Sequence, residues 1–205
     1  LAESQIDLER ANLGINKAAL SSEYAKLLDL TRQNSNSLTP EQKQNLAQLA
    51  VTLNKLGIKY FEPRGVNGKN ISELSEDEAK ALKAEMDKHG IKVSSIGSPI
   101  GKIKIKDDFS EHFEVFENVI KVAKILEAKY IRMFSFYMRE DKPEDVRDEV
   151  MRRMKEMTAL AEKRDIMLLH ENEKGIYGCT ADRCLDLLTV FPELKGIFDP
   201  ANYVQ

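Results

Sequence analysis

Apolar positions change their spacing near residue 57, and the change divides the chain in two. Before it, Ile6, Leu13, Leu20 and Leu27 recur every seven residues with Ala11, Ala18 and Ala25 on a neighbouring stripe, the period of an amphipathic helix. "NSNS" at 34–37 reads as a loop. "LTPEQKQ" then opens a second helix, with Thr39 as N-cap, Pro40 in the first helical position and Gln42 closing a capping box. That helix runs to about Lys55 and stops at Gly57.

After Gly57, short β-rich runs alternate with helical patterns. "IKYFEPR" (58–64), "KVSSIGSPI" (92–100), "KYIRMFSFY" (129–137), "IMLLHENE" (166–173) and "KGIFDPANYV" (195–204) read as strands. Between them lie four helices. The first is opened by a Ser75/Glu78 capping box and ends at "HG", 89–90; the others cover 109–128, 142–165 with Pro143 in the first turn, and 180–191 with Thr180 as cap. Strand and helix alternating at about thirty-five residues per unit predict right-handed βαβ units and a parallel sheet. The reading is therefore a helical extension over 1–38 and an α/β domain over 39–205.

In a parallel α/β sheet the ligand site lies beyond the carboxyl ends of the strands. Those ends carry Glu62 and Arg64; Ser98, followed by Lys102; Arg132, Ser135 and Tyr137; His170, Glu171, Asn172 and Glu173; and Asp199 with Asn202. Glu171 and Asp199, each closing an apolar run, invite a divalent cation (manganese, magnesium, cobalt or zinc). Such an ion would polarise a sugar carbonyl and stabilise an enediolate while a carboxylate moves the proton. The alternative is that either acid pairs with Arg64, Arg132 or Lys102, or caps a neighbouring helix.

Composition narrows the classes. Lys and Arg number 31 against 34 Asp and Glu, a net charge of −3, with no basic stripe of the kind nucleic-acid binding needs. No apolar run reaches the roughly 18 residues of a membrane span, the N-terminus lacks a signal-peptide pattern, and a cytoplasmic location is expected. Cys179 and Cys184 match neither a zinc spacing nor a disulfide framework. Met151, Met154 and Met157 read as core filler, "MRRMK" as a solvated helix face, and His89 and His112 as surface or helix-end residues. Gly97 and Gly101 flank a turn whose backbone is equally suited to cradling an anion.

"YFEPRGVNGKN", "SSIGSPIGKIKI", "YIRMFSFY", "LLHENEKGIYG" and "FDPANYVQ", in this order, resemble the sugar phosphate isomerase/epimerase family, the xylose isomerase-like TIM barrels that also include family-two AP endonucleases. The resemblance covers about residues 50–205. It implies a (β/α)8 barrel, here a partial one, whose divalent cation is held by two Glu, an Asp and a His. By motif the first Glu ligand falls on Glu171 and the Asp ligand on Asp199. His170 and Lys102 are then expected beside Glu171 in catalysis, and Glu62, Arg64, Arg132 and Asn172 in binding a small sugar or sugar-phosphate substrate. Counterparts of the first, seventh and eighth family strands are not recognised, and Cys179 stands where relatives usually carry an acid. Three expectations follow: a longer protein, a fusion, or two copies completing one another. A competing class is a non-catalytic scaffold whose N-terminal helices, through the Ile6/Leu13/Leu20/Leu27 stripe, contact a partner or a second copy.

Overall fold

The computed structural model describes residues 51, 53–66 and 68–204. The helical extension expected over 1–38, its apolar stripe and most of the second helix lie outside these residues; 53–55 are helical. In chain order the elements are β1 (Tyr60–Phe61), β2 (Gly65–Val66), β3 (Lys69–Asn70), α1 (Glu76–Lys88), β4 (Lys92–Val93), α2 (Phe109–Ile125), β5 (Tyr130–Met133), α3 (Pro143–Lys163), β6 (Met167–Glu171), α4 (Ala181–Val190) and β7 (Lys195–Ile197).

β1 pairs parallel with β4, and β5, β6 and β7 form a parallel three-stranded sheet in that order. A parallel bridge between Ile96 and Ile131 joins the two groups, through Ile96 N–H to the Tyr130 carbonyl at 2.8 Å and Arg132 N–H to the Ile96 carbonyl at 2.9 Å. Five parallel strands thus stand side by side in chain order, each linked to the next by a helix. This is the wall of a partial (β/α)8 barrel.

The strands are shorter than their sequences predict, for local reasons. Pro63 has no N–H to continue β1's ladder, and Phe136 takes a φ of 64°, which ends the extended run after β5. The antiparallel hairpin β2–β3 is an addition to the expected elements.

Helix starts follow the expected chemistry. Ser75 Oγ accepts from Glu78 N–H at 3.2 Å while Glu78 Oε2 accepts from Ser75 N–H at 2.8 Å, closing the capping box of α1. Pro143 occupies the first helical position of α3. The apolar faces of α2 (Phe116, Val119, Ala123) and α3 (Val150, Met154, Met157) bury against Ile96, Ile131, Met133 and Leu168. Burial of each large side chain contributes roughly 1.5–3 kcal/mol.

Met154 and Met157 are fully buried and Met151 packs on the core, as their spacing implies. The solvated face expected for "MRRMK" needs correction at one position. Arg153 is 4 % exposed, donates to the Ile105 and Asp107 carbonyls, and lies over the rings of Phe109 and Phe136. Carbonyls left over at the turn before α2 and two aromatic faces provide for a cation there.

Candidate active site at the strand ends

Side chains alternate across a strand, and facing residues of a parallel pair share a face. Ile131, Met133 and Leu168 belong to the core beneath the helices. His170, in register with Met133, stands on that same face. Arg132, Leu169 and Glu171 occupy the other. The sheet's register therefore brings Arg132 and Glu171 together and sends His170 behind them.

Arg132 and Glu171 form a buried pair, 7 % and 9 % exposed, with Nη1 3.1 Å from Oε2. The guanidinium also donates to the Gly97 carbonyl at 3.1 Å and to the Ser98 carbonyl at 3.4 Å, and it lies 5.2 Å from the Phe134 ring centroid. Three acceptors thus fix its fork. Among the described residues none bonds Glu171 Oε1.

Asp199 lies two residues beyond Ile197, the register partner of Glu171, so the two acids leave the same end of adjacent strands. Asn172 ties them together. Its amide donates to the Asp199 carbonyl and accepts from Asp199 N–H, both at 2.9 Å. Asn202 adds bonds to the Asn172 carbonyl at 2.8 Å and to Asp199 Oδ2 at 3.1 Å. Asp199 Oδ1 caps the following 3-10 turn by accepting from Ala201 N–H at 2.9 Å. Ion pairing at Glu171 and capping at Asp199, the two alternatives open from sequence, are both present.

Lys102 is paired with Glu173 at 2.5 Å and sits 4.2 Å above the Phe134 ring, whose plane it shares with Arg132 as a second cation. Tyr137 donates its hydroxyl to the other Glu173 oxygen at 2.9 Å. Burial, followed by the neighbouring carboxylate, pushes the Tyr137 phenol up to about 12. At the end of β1, Glu62 accepts from the Ser95 hydroxyl at 2.8 Å and lies 3.8 Å from Arg64, which is largely exposed.

His170 Nε2 lies 2.9 Å from Ser135 Oγ, which accepts from Gly178 N–H at 2.8 Å. A Cβ on Gly178 would collide with the imidazole, so the residue after Tyr177 has to be glycine for the ring to fit. Desolvation holds His170 down at about 4, and hence neutral. It lies buried under the helices, on the face opposite Arg132 and Glu171. The Glu173–Tyr137 contact was not foreseen: the two residues are 36 apart in sequence, and only the pairing of β5 with β6 joins them.

Among the described residues no group of three or more His, Cys, Asp or Glu side chains surrounds a common point. Glu171 and Asp199 are hard oxygen donors. They suit an ion such as magnesium or manganese, which takes one or two carboxylates and keeps several waters, better than a closed zinc tetrahedron of His and Cys.

A family model described as xylose isomerase-like TIM barrel matches residues 51–205. A xylose isomerase-like TIM barrel protein from Mycobacterium smegmatis, in complex with magnesium, is 16% identical with TM-score 0.58 over 77% of this chain and 56% of that one. The probable 3-DHS dehydratase AsbF from Bacillus anthracis is 18% identical with TM-score 0.62, over 81% of this chain and 59% of the other. The IOLI protein with a bound zinc atom is 15% identical with TM-score 0.64, over 85% and 62%. This chain therefore spans less than two thirds of the length of these structures. No curated protein matches it.

Proposed function

This chain belongs to the xylose isomerase-like TIM barrel family, and we propose that its strand ends form part of the centre of a divalent-metal-dependent isomerase or epimerase acting on a sugar or sugar phosphate. The observation that supports it most is the joining of Glu171 and Asp199 through Asn172 at one end of parallel strands. In this reading Glu171 and Asp199 hold the ion. When bound, the ion supplies the positive charge that polarises the substrate carbonyl.

The remaining work falls to the protein's own groups. Arg132 holds the Glu171 carboxylate fixed in direction. Lys102, Asn172, Glu62 and Arg64 orient the substrate at the rim, and Glu173 with Tyr137 completes that surface. The carbon beside the carbonyl gives its proton to a carboxylate, which exchanges it with solvent and returns a proton to the neighbouring carbon or to the opposite face, the hydroxyl proton passing to the carbonyl oxygen when the carbonyl moves. No oxidant is needed, and Glu171 is the group assigned to the transfer. Magnesium and zinc in the structures from Mycobacterium smegmatis and of the IOLI protein agree with a divalent ion in such a barrel.

Manganese and magnesium titrated into the purified protein, followed by calorimetry, test the ion site. One ion per chain, lost in Glu171→Ala and in Asp199→Ala, is the expected result; an affinity untouched by both substitutions sinks the assignment. Turnover in D2O with a panel of aldoses and ketoses should place deuterium on the carbon beside the carbonyl.

A further inference from the structure

We propose that Cys179 and Cys184 close a reversible disulfide across the start of α4, a modification site whose oxidation loosens the turn that follows Asp199. The proposal needs neither the metal nor the substrate assigned above.

α4 begins at Ala181 with Thr180 as N-cap, and Cys184 N–H donates to the Thr180 carbonyl at 2.9 Å. Cys179 is therefore the residue before the cap, and Cys184 is the fourth residue of the helix. These are the two positions of a hydrophobic staple, whose side chains are neighbours across a helix start. A hydrogen bond bounds their separation. The Cys184 thiol donates to the Gly178 carbonyl at 3.1 Å. Across a planar trans peptide that oxygen stands about 2.8 Å from the Cys179 Cα, so the Cys184 sulfur lies within roughly 6 Å of it. A cystine joins Cα atoms about 4.4–6.8 Å apart, a span within reach of a chain already folded back on itself. Both thiols are free and partly exposed, so an oxidant reaches them.

The Cys184 sulfur also touches two segments that shape the strand ends. Gly178, whose carbonyl it bonds, leaves the space for the His170 ring. The Tyr203 hydroxyl donates to the same sulfur at 3.5 Å, and Tyr203 ends the 3-10 turn Pro200–Tyr203 that Asp199 caps. A disulfide has no S–H, so on oxidation the Gly178 carbonyl loses this donor. The sulfur turns toward Cys179 and leaves Tyr203. The turn then relies on the bonds of Asp199 and Asn202 and on the ring contact between Phe198 and Tyr203.

The oxidant is a low-molecular-weight disulfide such as oxidised glutathione. One protein thiolate attacks it, forming a mixed disulfide and releasing one small thiol. The second protein thiolate then attacks the protein sulfur of that mixed disulfide and releases the other. The two cysteines give up two electrons and two protons, and the small disulfide is reduced to two thiols.

The chain is equilibrated with mixtures of oxidised and reduced glutathione in EDTA, at about pH 8.5 because burial pushes the Cys184 thiol up. Peptide mapping by mass spectrometry should find Cys179 bonded to Cys184, with the loss of two hydrogens and of both titratable thiols, undone by dithiothreitol. Amide hydrogen exchange over 199–204 should be roughly 2-fold or more faster in the bridged form, the scale of one weak hydrogen bond lost. Glutathione held on the separate thiols, or bridges between chains, overturns the proposal, and so does an intramolecular bridge with unchanged exchange over 199–204. No variant is required, so a failure to fold does not enter. The readouts use no metal and no turnover, which separates them from the ion titration that tests the proposed function.

Discussion

Replacing Arg132 by Met tests whether the Arg132–Glu171 pair is the structural anchor of the site. Both side chains are nearly buried, at 7 % and 9 %, so removing the guanidinium leaves Glu171 as an uncompensated charge in a low-dielectric place. Breaking such a pair costs about 3–5 kcal/mol. Arg132 also satisfies the Gly97 and Ser98 carbonyls, and each buried acceptor left without a partner adds about 1–3 kcal/mol unless water reaches it. Loss of the pair alone should therefore lower the melting temperature by roughly 6–20 °C, at about 2–4 °C per kcal/mol for a chain of this size, and any carbonyl that water does not reach adds to that. Glu171→Leu in the Arg132→Met background removes the orphaned charge and should restore part of the loss, leaving only the carbonyl contribution. Urea unfolding of the four proteins, in EDTA so that metal binding does not enter, gives the coupling energy directly. We expect about 2–4 kcal/mol of coupling. Single-variant losses that add within about 0.5 kcal/mol would show that the two residues act independently, and the anchoring role would fall.

Two further outcomes follow from particular side chains. His170 is held near 4 by burial, against an unfolded value of about 6.5, so between those pH values the unfolded chain binds more protons. Stability from this group is complete above about pH 6.5 and falls by about 3 kcal/mol as the pH drops toward 4. His112, lowered to about 4 by burial and then by Arg153, adds a loss in the same window. Urea midpoints from pH 7 to 5 should thus decline more steeply for the wild type than for His170→Gln, and equal slopes would contradict a buried neutral imidazole. Gly101 has φ of 86° and lies against the Phe134 carbonyl, where a Cβ would overlap the oxygen. Gly101→Ala should lose at least about 2 kcal/mol in thermal unfolding, whereas Gly90→Ala, at φ of 66° but in open space, should lose less.

The βαβ order was legible because its signals are local: a capping box at Ser75 and Glu78, Pro143 at a helix start, and apolar runs ending in polar residues. Which residues close each strand could also be read, since a parallel sheet puts all carboxyl ends on one rim. What could not be read was the partner of each charge. Arg132 and Glu171 are separated by 39 residues, and Lys102 and Glu173 meet only after two crossovers. Arg153 looked like part of a solvated basic run because sequence shows no carbonyls. The hairpin β2–β3 did have a signal, the "NG" at 67–68, which is a strong two-residue turn dipeptide.

The alternation along β6 explains why neighbouring polar residues have opposite fates. His170 and Glu171 are adjacent, yet one lies with Ser135 beneath the helices and the other with Arg132 on the opposite face. A slip of one residue in the β5–β6 register would exchange them, placing Glu171 among apolar helix faces and leaving Arg132 opposite an imidazole. Two features oppose that slip. Glu171 in the core would be a charge without Arg132, and His170 on the other face would vacate the space that Gly178 leaves for its ring. The Arg132 pair and the Ser135–His170–Gly178 contact therefore lock the same register from opposite faces. That register carries Glu171 to the rim beside Asn172, and Asn172 fixes Asp199 through the backbone of the next strand. The positions of both acids thus depend on that register and on the two Asn172 bonds that carry it to the next strand.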